Sequence, residues 1–182
     1  MSSLGEEPTI ESRIAFEGQL ITVRVHKIRT SLGNVATREI VEHSNAVCIV
    51  PVLSNGNVLL VRQYRKAAKQ ELLEVPAGGI EQGESIQYAV LRELQEETGY
   101  TAGTLLHLSS FWMTPGWSTE EMHAYLATDL ESSKLPPDED EDIYPVNVPL
   151  ANVSEMIRVG QIRDAKSITS LLLAIDVLGI PL

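Results

Sequence analysis

The chain has 182 residues, 43% of them hydrophobic, and carries a formal charge of -11 from 14 basic and 25 acidic side chains. That length suits one globular domain with room for a small appendage, and the acidity argues against a nucleic-acid backbone or an anionic membrane as primary partner. A single cysteine forbids an intramolecular disulfide and fits the reducing cytoplasm. No run reaches membrane-spanning length, and the start MSSLGEEPTIES lacks the basic and apolar stretches of a signal peptide.

Taken in chain order, residues 1–43 predict a small antiparallel β element. Leu20 to Ile28 alternates and is rich in β-branched residues, Ser31-Leu32-Gly33-Asn34 reads as a turn, and Val35 to Val41 reads as the returning strand. Residues 44–182 predict the main domain. Ala46 to Leu53 and Val58 to Gln63 are apolar strands joined through Asn55-Gly56, a hairpin signal. Cys48 lies inside the apolar run AVCIVPV and is expected as a small buried hydrophobe, not a nucleophile. Leu72 to Val75 leads into the turn Pro76-Ala77-Gly78-Gly79. A helix follows, with Ser85 as candidate N-cap and Gly99 as its stop. Its residues Ile86, Ala89, Val90 and Leu94 fall at helical spacing and form an apolar docking face. Strands are expected near Leu105 to Trp112, His123 to Thr128 and Val146 to Pro149. A short helix after Asn152 and a longer one from Ala165 to Leu178, ended by Gly179, complete the chain. The four histidines, His26, His43, His107 and His123, show no ligand spacing and read as structural.

The catalytic signal lies in GGIEQGESIQYAVLRELQEETGY, residues 78–100. Glu93, Glu96 and Glu97 crowd the end of the helix, and residues three and four apart share a face. Like charges at that spacing repel and weaken a helix. Most acidic runs are solvated faces, but hard carboxylate oxygens suit Mg2+ or Mn2+ placed among them. Arg92 can pair with a neighbouring carboxylate and fix its rotamer.

These residues resemble the Nudix box, Gly-x5-Glu-x7-Arg-Glu-U-x-Glu-Glu-x-Gly-U, with U a bulky apolar residue. Gly78, Glu84, Arg92, Glu93, Leu94, Glu96, Glu97, Gly99 and Tyr100 fill it, Tyr100 being an aromatic where an aliphatic is usual. The resemblance implies an α/β fold: a Nudix-type α/β/α sandwich with a mixed sheet, here with the N-terminal antiparallel element added. It also implies Mg2+-dependent hydrolysis of a nucleoside diphosphate linked to another group, with Mn2+ able to substitute. Glu93 and Glu97 would be the core metal ligands and catalytic carboxylates. Glu96 and the backbone carbonyl of Ala77 would be further ligands. Gly78, Glu84, Arg92 and Gly99 would organise the loop and helix.

Two downstream segments bear on the substrate. In Thr114-Pro115-Gly116-Trp117-Ser118-Thr119-Glu120, Pro115 stands fifteen residues past Tyr100, a spacing that resembles the ADP-ribose pyrophosphatase branch, as does the wording PAGGIE. Pro-Gly is also an ordinary turn pair, and such a turn would aim Glu120 at the substrate ribose. The run Asp138-Glu139-Asp140-Glu141-Asp142 reads on its own as a solvated loop. In that branch an acidic loop here supplies the general base, which places Glu139 as base and Glu141 as a further metal ligand. Asp138 or Asp140 are alternatives for that role. Arg65 resembles a phosphate-contacting arginine, whose guanidinium fork fits two phosphate oxygens, and could equally pair with a surface acid. Arg38 is a weaker candidate that would reach the site of a second subunit, since dimeric relatives exchange their N-terminal strands. The expected protein is therefore a homodimeric ADP-ribose pyrophosphatase releasing AMP and ribose 5-phosphate. The alternatives are another substrate (GDP-mannose, a UDP-sugar, NADH or FAD) or a non-catalytic ADP-ribose sensor.

Overall fold

The computed structural model describes residues 5–136 and 142–180. They divide into two compact units, one formed by the chain up to Asn45 together with Trp112–Glu121, the other by Ala46–Phe111 and Met122 onward.

The first unit is built on three antiparallel strands, β1 (Thr9–Glu17), β2 (Thr22–Arg29) and β3 (Val35–Glu42), in the order β1-β2-β3. The turn after β2 closes with the Gly33 amide donating to the Thr30 carbonyl at 2.8 Å. β1 was not anticipated, because its apolar residues alternate with charges and Ser that offer no core. Every residue of β1 is exposed, including Ile10, Ile14 and Phe16. The segment Trp112–Glu121 belongs to this unit, against the sequence expectation of a boundary near residue 43. The Val41 amide donates to the Trp117 carbonyl at 2.7 Å, and the Thr119 amide returns a bond to Val41 at 3.0 Å.

The second unit has two sheets. One is mixed, with order β7-β4-β9-β8, from β4 (Ala46–Pro51), β7 (Ala77–Gly79), β8 (Tyr100–Trp112) and β9 (Glu121–Ser132). β4 runs parallel to β9 and antiparallel to β7. The other sheet is antiparallel, with β10 (Ile143–Pro149) and β6 (Gln70–Glu74) flanking β5 (Asn57–Arg65). Strands β4 and β5 do not form the hairpin that Asn55-Gly56 suggests. The turn is made, with Gly56 donating to Leu53 at 2.9 Å, but beyond the bridge Val52–Val58 the strands part into different sheets. All six residues of β4 are buried, so each face of this strand needs its own covering layer.

Helix α1 (Ile86–Thr98) covers one face. Ala89, Val90 and Leu94 pack with Val47, Ile49, Tyr125 and Ala127 in one buried cluster. Helix α3 (Ala165–Val177) also contacts β4, and Ser170 on it lies within hydrogen-bonding range of the Cys48 thiol. The arrangement is the expected α/β/α sandwich, with the short α2 (Val153–Arg158) preceding α3. Ser85 caps α1 by accepting from the Tyr88 amide at 3.3 Å. Gly99 ends it in the left-handed region at φ 78°, where a Cβ would be strained. No helix among the described residues is long and apolar enough to cross a membrane.

Leu94 is fully buried between α1 and the mixed sheet. Leu94→Ala is expected to remove about 2–5 kcal/mol of stability, lowering Tm by about 2–4 °C for each kcal/mol, as read by thermal unfolding.

Candidate active site

The turn before α1 and the last two turns of α1 are held together by one side chain. Arg92 donates from Nε to Glu84 Oε1 at 2.9 Å and from Nη2 to Glu84 Oε2 at 3.1 Å. From Nη1 it reaches Glu93 Oε1 at 2.7 Å and Glu96 Oε2 at 3.0 Å, and Nη2 also donates to the Gly79 carbonyl at 2.9 Å. Two carboxylates of the helix and one of the preceding loop, which would otherwise repel one another, are thus gathered round a partly buried guanidinium. Glu84 in turn accepts from the Glu81 amide at 2.9 Å, which fixes the loop. The hydrogen bond from Arg92 pulls the Glu84 carboxyl below the usual carboxylate range against the opposing effect of burial, helped by the Glu81 amide. The bond to Glu84 likewise raises the pKa of Arg92, against burial and with the added charge of Glu93, so the guanidinium stays charged.

Glu93 and Glu97 are 8% and 5% exposed. Glu97 Oε2 accepts from the Ala77 amide at 3.1 Å, which ties the end of α1 to β7. Glycine is required at position 78 by close approach. A Cβ built there would lie 2.0 Å from Glu93 Oε1 and 2.1 Å from its Cδ, so any side chain would push the Glu93 carboxylate off its place. Buried carboxylates in a backbone cradle with no nitrogen or sulfur ligands suit a hard divalent cation. Among the described residues no three carboxylates, imidazoles or thiolates already converge as a closed ligand set, and the carboxylates of Glu93 and Glu96 meet at Arg92.

Beyond the end of α1 opens a cleft of about 300 Å3, lined by Glu96, Glu97, Lys134, Asp142, Ile143 and Pro145 among others. Strand register places Gln63 opposite Ile143 and Val61 opposite both Pro145 and Glu74. Alternation along β5 therefore puts Val61, Gln63 and Arg65 on the face shared with Ile143 and Pro145. Arg65 does not stand alone: Nη2 donates to Glu74 Oε2 at 2.7 Å and Nε to both Glu74 oxygens at 3.1 and 3.2 Å. Burial disfavours its charge, but Glu74, with Glu97 and Asp164 farther off, holds it more firmly charged. Glu74, Lys166, Lys134 and Gln63 were not found by sequence reasoning. Nothing local marks a buried carboxylate such as Glu74, because its partners arrive from β5 and α3.

Pro115, Glu120 and Arg38 belong to the first unit. Pro115 sits in a turn where the Trp117 and Ser118 amides both donate to the Thr114 carbonyl, and the Glu120 carbonyl accepts from Met113. Arg38 is engaged by Glu7, with Nε at 2.9 Å and Nη2 at 2.5 Å. Glu139 and Glu141, with Asp138 and Asp140, lie outside the described residues. Cys48 is fully buried, and burial pushes its thiol up to about 12, which leaves no thiolate for chemistry.

The chain belongs to the NUDIX domain family, whose model matches residues 42–169. It is 37% identical over 169 residues to an ADP-ribose pyrophosphatase of Bacillus subtilis (strain 168), covering 92% of this chain and 91% of that one. It is 34% identical over 170 residues to a methanol dehydrogenase activator of Bacillus methanolicus, covering 92% of each. A crystal structure of an ADP compounds hydrolase superposes with a TM-score of 0.89 at 27% identity, covering 98% of this chain and 97% of that one. The Nudix-type fold inferred from the box is therefore the fold observed.

Two outcomes follow from this geometry. Gly78→Ala should displace the buried Glu93 carboxylate from Arg92 and lower the unfolding temperature, as read by a thermal melt. Glu84 has its pKa depressed by folding, so the stability it contributes is complete above the unfolded carboxyl value of about 4.3 and is lost as pH falls through the lower folded value. Urea midpoints from pH 6 down to pH 3 should fall, and Glu84→Gln should flatten that fall.

Proposed function

We propose that the protein is an ADP-ribose pyrophosphatase that hydrolyses the diphosphate of ADP-ribose to AMP and ribose 5-phosphate. The observation that carries this reading is the complete set of helix carboxylates, with Glu93 and Glu96 gathered by Arg92 and Glu97 tied to the Ala77 amide. The relationship to an ADP-ribose pyrophosphatase over nearly the whole chain supports the substrate.

Glu93, Glu96, Glu97 and the Ala77 carbonyl would hold Mg2+, with Mn2+ as substitute and Glu141 as a further ligand. A bound divalent cation supplies charge neutralisation for the diphosphate and acidifies water. The chain's own contributions are positional. Arg65 offers a planar donor to the non-bridging phosphate oxygens from the face of β5 beside Glu97. Water adds to one phosphorus, the bridging P–O bond breaks, and the proton of the water passes to a carboxylate, for which Glu139 is the candidate. Glu120 and Pro115 would contact the nucleoside side of the substrate. A second copy of the chain would cover the exposed Ile10, Ile14 and Phe16 of β1, making a homodimer to whose partner site Arg38 would contribute. The single buried cysteine is consistent with a cytoplasmic enzyme.

The test is a panel of ADP-ribose, GDP-mannose, UDP-glucose, NADH and FAD with Mg2+, read as released nucleoside monophosphate. ADP-ribose should show the highest kcat/KM, and Glu97→Gln should lower it by at least about 10^3-fold with the fold intact. Full activity in folded Glu97→Gln would overturn the assignment of the site. A better substrate elsewhere in the panel would keep the chemistry and replace the substrate. Binding of ADP-ribose without any turnover would make the protein a sensor.

A further inference from the structure

The carboxylate that grips Arg65 is itself gripped from behind. Glu74 is 1% exposed, and its Oε2 accepts from Lys166 Nζ at 2.5 Å as well as from Arg65. Lys166 is buried too, and it also donates to Asp164 Oδ1 at 2.9 Å. Asp164 is the N-cap of α3, its Oδ1 accepting from the Ser167 amide at 3.0 Å, while its Oδ2 is buried with no partner among the described residues. Two cations and two carboxylates thus form one compact, charge-balanced chain from the start of α3 to the open end of Arg65.

This chain is more than a fastening between layers. A buried ion pair is weak grounds for stability, since removing two charges from water offsets their attraction. Its geometry, by contrast, is restrictive. With Arg65 and Lys166 both on Oε2 and Arg65 Nε spanning both oxygens, the plane of the Glu74 carboxylate cannot rotate freely, and the guanidinium plane follows it. Nε and Nη2 of Arg65 are taken, and Nη1 has no hydrogen-bond partner among the described residues. Next along the chain, the Val75 amide donates to Ser167 Oγ at 2.8 Å, and two residues on, the Ala77 amide donates to Glu97. The first turn of α3 therefore fastens one short segment, Glu74 to Ala77, that holds Arg65 at one end and Glu97 at the other.

We infer that Glu74 and Lys166 are positioning residues that set the distance and angle between the Arg65 guanidinium and the Glu97 carboxylate, so that a diphosphate is met from both sides at once. The inference rests on the proposed reading of Arg65 as a diphosphate contact. Outer partners that orient a binding side chain typically change affinity or activity by 10–100-fold when lost.

The experiment is a double-mutant cycle of Glu74→Gln and Arg65→Ala, read as KM and kcat on ADP-ribose and, without turnover, as calorimetric binding of ADP in Mg2+. Glu74→Gln alone should raise KM and the ADP Kd about tenfold or more, with kcat changed much less. In the Arg65→Ala background it should add less than about twofold. Lys166→Met should move KM in the same direction, and Lys166→Arg, which restores the cation on Glu74, should return most of the loss. Equal effects of Glu74→Gln in both backgrounds, or none in either, would overturn the inference in favour of a purely structural pair. Should Glu74→Gln fail to fold, the charge-balanced pair Glu74→Gln with Lys166→Met takes its place in the cycle. A protein that binds ADP but hydrolyses nothing contradicts the proposed activity and leaves the cycle readable by calorimetry. A protein that does not bind ADP in Mg2+ overturns the positioning role as well.

Discussion

One guanidinium holds three mutually repelling carboxylates of the site in place. Glu93, Glu96 and Glu97 occupy one end of a helix where like charges destabilise, and Glu84 adds a fourth negative charge from the preceding loop. Arg92 binds Glu84, Glu93, Glu96 and the Gly79 carbonyl simultaneously. Removing Arg92 would leave these partly buried carboxylates uncompensated, which is destabilising. The same contacts dictate loop shape, since Glu84 cannot reach both Arg92 and the Glu81 amide unless the turn folds back on the helix.

A second constraint comes from the backbone. Gly78 lets the turn approach the Glu93 carboxylate, and the Ala77 amide anchors Glu97, so the two innermost carboxylates are placed by β7 as well as by α1. β7 in turn is fixed by pairing with β4, which is buried on both faces between α1 and α3. Packing of Leu94 and its neighbours thereby carries directly into the geometry of the acidic end. Two α-helices of the sandwich meet the site from opposite sides of the sheet: α1 provides the carboxylates, and α3 restrains the strand that leads into them.

The first unit has a different character. Its three strands expose a broad apolar and charged surface, and Arg38 is bound by Glu7 within the same unit. That pairing shows why a residue chosen for its type and position can have an alternative partner that no sequence pattern reveals. The segment with Pro115 and Glu120 joins this unit through backbone bonds to the end of β3, although it follows β8 in the chain.

The amino-acid sequence by itself determined the acidic helix, its caps, its apolar face and the glycine-rich turn, because each depends on residues within one or two turns of each other. It also marked most strands through period and β-branched content, while the sandwich class came from the resemblance of the box to the Nudix family. Strand β1 escaped because its apolar residues are interspersed with charges and all lie exposed, so they mark no core. The parting of β4 and β5 escaped because turn chemistry specifies a reversal and not which sheet the next strand enters. Only tertiary structure decided that Glu74 lies between Arg65 and Lys166, a pairing 92 residues apart along the chain. It likewise decided that Gly78 touches Glu93. Those contacts depend on which layers pack together, and charge pairing at that separation leaves no periodic trace in sequence.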